Sequence, residues 1–86
     1  MLAIKKGIAA RVRARRKEGG LSQAELAARS GVSLGSLKRF ENKGEISLTS
    51  LVKLAITLGY ESDFAALFER KNYQSLDEVI NEAKFK

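Results

Sequence analysis

Residues 21–44, LSQAELAARSGVSLGSLKRFENKG, constrain the fold of this chain more than any other stretch. Ser22 and Glu25 stand at the S-x-x-E spacing of a capping box, in which each side chain satisfies a backbone N–H of the other residue. A helix therefore opens at Ser22. Gly31 stops it, because the chain must turn there and a Cβ would be strained in the left-handed backbone of a helix end. Ser33 caps a further helix over residues 34–42, closed by Asn42-Lys43-Gly44. Leu37 and Phe40 are three apart and point inward together. Val32 fills the centre between the two helices. Leu34, Gly35, Ser36, Lys38 and Arg39 fall mainly on the other sides. The pattern is two short helices joined by a tight turn, with the polar and basic side of the second left facing outward.

The flanking segments also read as helices, and the absence of proline suits long uninterrupted ones. Ile8, Ala9 and Val12 recur at three- and four-residue spacings, which predicts a first helix over residues 4–17, ended by Glu18-Gly19-Gly20. Leu21 is placed to staple onto Leu26. Ala24, Leu26, Ala27 and Ala28 read as a small-residue face for close helix contact. Leu48, Leu51, Leu54, Ala55 and Leu58 form one apolar face of a fourth helix that starts near Ser47 and stops at Gly59. Ser62 is expected to cap a short fifth helix containing Phe64, Leu67 and Phe68. A second capping box, Ser75 with Glu78, predicts a terminal helix through Val79 and Ile80 to about Lys84. The fold class is all-α, with one domain over residues 1–70 and an extension over residues 71–86. A domain of 86 residues buries only about 60% of its unfolded surface, so it must pack efficiently or dimerise.

Composition removes whole classes of chemistry. The chain has no cysteine and no histidine, which excludes disulfides, thiolate metal sites and every Cys–His or Ser–His–Asp constellation. No apolar run approaches the roughly 20 residues of a membrane span, and MLAIKKG lacks the long apolar region of a signal peptide. The expectation is a cytoplasmic protein without metal or cofactor. The net charge is +6, but its distribution says more. Residues 1–43 carry eleven Lys or Arg against three Glu, a balance of +8; residues 44–86 carry five against seven acids, a balance of −2. The positive half is the half with the paired helices, and a polyanionic partner accounts for both facts together.

Residues 8–68 resemble the XRE-type, or Cro/C1-repressor-like, helix-turn-helix domain. The resemblance rests on Arg16, Leu21-Ser22-Gln23-x-Glu25-Leu26-Ala27, Gly31-Val32-Ser33, Leu37, Phe40-Glu41-Asn42 and Ser47-Leu48, with Leu51-x-x-Leu54-Ala55-x-x-Leu58-Gly59 downstream. It implies a compact five-helix fold from bacteria or phage that binds double-stranded operator DNA as a homodimer, with one helix in the major groove. Gln23 then reaches a phosphate from the first turn of its helix, where the dipole favours an anion. Ser33, Leu34, Gly35, Ser36, Lys38 and Arg39 lie on the recognition helix. Arg39 is the first choice for base reading, since its planar fork matches the O6 and N7 acceptors of guanine. Lys38 either does likewise or binds phosphate. Leu34 and Gly35 depart from the common pattern of Gln, Thr or Asn. Asn42, Lys43 and Ser47 match the phosphate contacts of the family. Arg11, Arg13, Arg15 and Lys17 either add attraction or face solvent. Arg16 and Glu41 match an ion pair between the first and third helices, a structural role.

Three function classes follow. The leading one is a sequence-specific transcriptional repressor on a palindromic operator. Phe64, Leu67 and Phe68 are then either dimer contacts or a cover for the core over the fourth helix. The second class is a protein-binding regulator. The size of the chain and its ending, DFAALF then SLDEVI, are similar to small HipB-like antitoxins, which repress their own operon and bind a HipA-type kinase toxin. The third class, an enzyme, is opposed by the missing His and Cys and by the lack of a glycine-rich phosphate loop. Asp77 and Glu78 are adjacent, so they do not face each other across a substrate.

Overall fold

Serine hydroxyls start three of the helices. The computed structural model describes residues 1–71 and contains, among them, five helices and no strand. These are α1 (Leu2–Glu18), α2 (Gln23–Ser30), α3 (Leu34–Lys43), α4 (Leu48–Leu58) and α5 (Glu61–Ala65). At α2 the capping box is complete: Ser22 Oγ accepts the Glu25 N–H at 3.0 Å, and Glu25 Oε1 accepts the Ser22 N–H at 2.8 Å. Hydrogen bonds from the Ser22 backbone and hydroxyl hold the Glu25 carboxyl below its usual pKa. Ser33 Oγ accepts the Ser36 N–H at 3.1 Å, and Ser47 Oγ accepts the Ser50 N–H at 3.0 Å. Replacing a cap serine of this kind by Ala typically costs ~1 kcal/mol.

Leu26, Leu37, Phe40 and Leu54 are fully buried, and Ala9, Ala27 and Val32 complete the centre of the core. Ile8, Val12, Leu21, Ile46, Leu51 and Leu58 pack around it half-buried. α1 lies against α3 and α4, α2 bridges α3 and α4, and α5 rests on α4. Leu21 and Leu26 belong to the same packed cluster, as the staple reading requires.

Several expectations are corrected. α1 begins two residues earlier than expected, at Leu2. Ala24 and Ala28 are exposed, and the buried residues of α2 are Leu26 and Ala27. Two residues along a helix turn it by about 200°, which puts both alanines opposite Leu26. Leu48 shares the apolar face of α4 by spacing yet is 66% exposed, since no described residue covers the first turn of that helix. Ser62 does not cap α5. The helix opens after Tyr60 with no side-chain cap, and Ser62 lies inside it. α5 ends at Ala65, so Leu67 and Phe68 lie beyond its end. Both are exposed, Phe68 at 93% and with a left-handed φ of 65°, while Phe64 is half-buried. A five-residue helix is too short to bring all three onto one face. The helix expected between Ser75 and Lys84 lies outside the described residues, as does all but the first residue of the 71–86 extension.

The glycine that caps the end of α3 lies close against α1. Gly44, with φ 76°, is buried, and a Cβ there would stand 3.0–3.2 Å from Lys5 Cβ, C and O. Gly31 has nearly the same φ, 78°, but nothing within 4 Å of the corresponding position. Both substitutions by Ala bear the left-handed strain of roughly 1–2 kcal/mol. Only Gly44→Ala also forces α3 and α1 apart. Denaturant titration is expected to show Gly44→Ala destabilised by at least about 1 kcal/mol more than Gly31→Ala, the size of an overpacked core site; equal losses would contradict the contact.

Candidate nucleic-acid interface

The interface is organised around one buried carboxylate. Glu41 projects from the inner flank of α3 toward the end of α1. Arg16 Nε donates to Glu41 Oε2 at 2.8 Å and Arg16 Nη2 donates to Oε1 at 3.0 Å, a bidentate fork. The side chains are 8% and 5% exposed. Arg16 Nη1 donates to the Leu21 carbonyl at 2.9 Å, which also ties down the loop between α1 and α2. Gln23 Nε2 donates to Glu41 Oε1 at 2.9 Å, and Arg13 Nε stands 4.0 Å from the same oxygen. One carboxylate thus gathers α1, α2 and α3. Burial pushes the Glu41 carboxyl up. The hydrogen bonds from Arg16 and Gln23 and the charges of Arg16 and Arg13 outweigh burial and hold it below its ordinary value.

The pair sets which side of α3 is outward. Leu37 and Phe40 are buried, whereas Ser33, Leu34, Gly35, Ser36, Lys38, Arg39, Asn42 and Lys43 are exposed. An open trough of about 530 Å³ runs between the start of α2 and the outer side of α3. Arg13, Ser22, Gln23, Lys38, Glu41 and Asn42 line it. Lys38 and Asn42 are one helical turn apart and share that side. Gln23 has one amide hydrogen engaged by Glu41, and its second N–H and its carbonyl oxygen remain for another partner.

Arg39 lies on a different flank of α3. Its Nη2 donates to Glu45 Oε1 at 2.7 Å, and Lys5 Nζ stands 3.9 Å from Glu45 Oε2. The hydrogen bond and charge of Arg39, with the charge of Lys5, hold the Glu45 carboxyl below its usual pKa. The Ser33 hydroxyl donates to Ser36 Oγ at 2.8 Å, so both serines are joined at the first turn of α3. Gly35 has nothing within 4 Å of the space a Cβ would fill, so no contact inside the chain calls for a glycine there. Ser47 is exposed at the start of α4. Phe64, Leu67 and Phe68 are remote in sequence from this surface and follow α4.

Residues 12–64 match the family model described as helix-turn-helix. The chain belongs to the XRE-type helix-turn-helix family. No curated protein and no solved structure gives a significant match. The helix-turn-helix spans α2, its turn at Gly31 and α3. The family assignment makes the chain a DNA-binding regulator of transcription, in a family that is generally non-enzymatic. No described helix is long and apolar enough to cross a membrane.

Sequence reasoning leaves Arg13 between adding attraction and facing solvent; its side chain lines the trough. The Arg39–Glu45 contact joins α3 to the loop after it, and no helical spacing announces such a pair.

Arg16→Ala would leave the Glu41 carboxylate buried without its fork, a loss of roughly 3–5 kcal/mol. Arg15 makes only a surface pair with Glu18 at 2.7 Å. Thermal melting is therefore expected to separate Arg16→Ala clearly from a near-wild-type Arg15→Ala; comparable melting temperatures would refute the structural role.

The lowered pKa of Glu41 also sets a pH dependence. The unfolded chain takes up this proton near the ordinary value of 4.5 and the folded chain only at lower pH. Its stabilisation is complete above 4.5 and is lost as pH falls through the folded value. Denaturant titrations between pH 6 and about 3 should show a shallower acid decline in Glu41→Gln than in wild type. Identical declines would mean that Glu41 is not held ionised.

Proposed function

We propose that this regulator is a repressor that binds a palindromic operator as a homodimer, each α3 lying in the major groove of one half-site. The half-sites would then stand about 34–36 Å apart along the duplex. The observation that supports this most is the division of α3 itself. Leu37 and Phe40 anchor one side in the core, and the exposed side carries Lys38, Arg39, Asn42 and Lys43.

Residue roles follow from position. Gln23, at the first turn of α2, donates to a backbone phosphate with its remaining N–H, aided by the helix dipole. Asn42, beside Gln23 in the trough, and Lys43 and Ser47, at the end of α3 and the start of α4, hold phosphates and fix register without reading sequence. Ser33, Ser36 and Lys38 meet the groove from the first turns of α3. Leu34 packs on a thymine methyl, and Gly35 lets the backbone come close to the duplex. Arg39 reads a guanine. Its contact with Glu45 does not oppose this, because exposed ion pairs are among the weakest interactions in proteins. A bidentate guanine contact is worth about 1–3 kcal/mol of discrimination. The exposed Leu67 and Phe68, with Phe64, supply the apolar surface for the second copy. The DNA-binding unit spans residues 1–70.

Selection of bound duplexes from a random pool, at stated salt, tests this reading. The expected product is an inverted repeat. Arg39→Ala is expected to lose about 1–3 kcal/mol on that site and to relax one symmetric base pair in each half. An unenriched pool, or an unchanged preference in the variant, would contradict the assignment.

A further inference from the structure

α1 carries a second basic feature that the helix-turn-helix does not include. Lys6, Ala10, Arg13, Ala14 and Lys17, with Glu41 of α3, line an open groove of about 350 Å³ along this helix. These α1 positions fall within about 100° of one another round the helix, at 100° per residue. The alanines form a low floor, and the three cations rise around it. Arg13 and Glu41 line both this groove and the trough beside Gln23 and Lys38, so the two depressions meet. Lys6 and Lys17 are exposed and have no carboxylate within 4.0 Å among the described residues. The remaining α1 cations are disposed differently. Arg11 and Arg15 are each two residues from Arg13, about 200° round the helix. Arg15 is paired with Glu18, and Arg16 is held by Glu41.

The geometry points to α1 as a second track for the DNA backbone. Lys6, Arg13 and Lys17 neutralise successive phosphates of the strand that passes the start of α2, beyond the base pairs met by α3. Charge and continuity select this occupant. The groove carries three cations, and it opens into the trough next to the recognition helix. From Lys6 to Lys17 the helix rises roughly 16 Å, the axial length of about five nucleotides of one strand. The inference rests on the DNA-binding face proposed above and extends it to α1.

The test uses the duplex selected by the wild-type chain and measures affinity between 50 and 200 mM salt. Each phosphate contact contributes about −0.9 to the slope of log affinity against log salt. Lys6→Gln/Lys17→Gln is expected to make that slope shallower by about 1.8, so that wild-type affinity falls roughly 12-fold more than the variant's over this range. Adding Arg13→Gln should remove about 0.9 more. Sequence preference should not change. The charge-matched control Arg29→Gln/Lys53→Gln, exposed on α2 and α4, is expected to move the slope little. All four positions of the two double variants are exposed, and melting curves verify that each variant is folded. Equal slopes in the two double variants would overturn the track along α1 while leaving α3 as the reading helix. A wild-type chain without any preferred duplex would instead overturn the binding face itself, and this inference with it.

Discussion

The Glu41 carboxylate is the point on which the arrangement of α1, α2 and α3 depends. A buried ion pair is often no more stabilising than an apolar replacement, because both charges lose their hydration. Here the loss is offset by geometry. Arg16 delivers a two-pronged fork, Gln23 adds a third donor, and the spare guanidinium nitrogen closes on the Leu21 carbonyl. Every strong acceptor at the junction has a donor. The pair also specifies position in a way that apolar packing cannot. Leucines tolerate small slides, whereas a fork and an amide converging on one carboxylate fix the rotation of α3 about its own axis.

That rotation gives the surface its character. With Leu37 and Phe40 turned into the core, the polar and basic residues of α3 have only the outside left. The tight contact of Gly44 with Lys5 holds the far end of α3 against α1, and α4 supports the core from behind through Leu54. The core side and the proposed binding face are two sides of one short helix, so substitutions that loosen the first are expected to misdirect the second. The cations of α1 gain their place in the same way. Arg16 is turned inward by Glu41, and Arg13, one turn earlier, is brought to the edge of the trough.

Local signals in the sequence carried most of this. The capping box at Ser22 and Glu25, the caps at Ser33 and Ser47, and the glycines at 31, 44 and 59 involve contacts within a few residues, and each stands where spacing put it. The inward residues of α3 were legible because three-residue spacing leaves one choice of face. The family resemblance supplied the Arg16–Glu41 pair, which separation along the chain would otherwise conceal. What failed was short or distant. Ser62 has the chemistry of a cap, but α5 opens two residues earlier, directly after the end of α4 is closed by the Tyr60 N–H on the Ala55 carbonyl at 2.7 Å. Ala24 and Ala28 are small enough for a helix interface, and size alone does not say which side of α2 faces in. The Gln23–Glu41 and Arg39–Glu45 contacts join elements whose relative placement appears only once the core has formed.

The most direct measurement follows backbone amide resonances of the whole chain as a selected duplex is added. Shifts concentrated at the first turn of α2 and along Ser33–Lys43, with smaller ones between Lys6 and Lys17 of α1 and with α4 and α5 nearly silent apart from the start of α4, are the result this account predicts. Shifts gathered on Ile56 to Phe68, with Lys38, Arg39 and Asn42 unmoved, would contradict it.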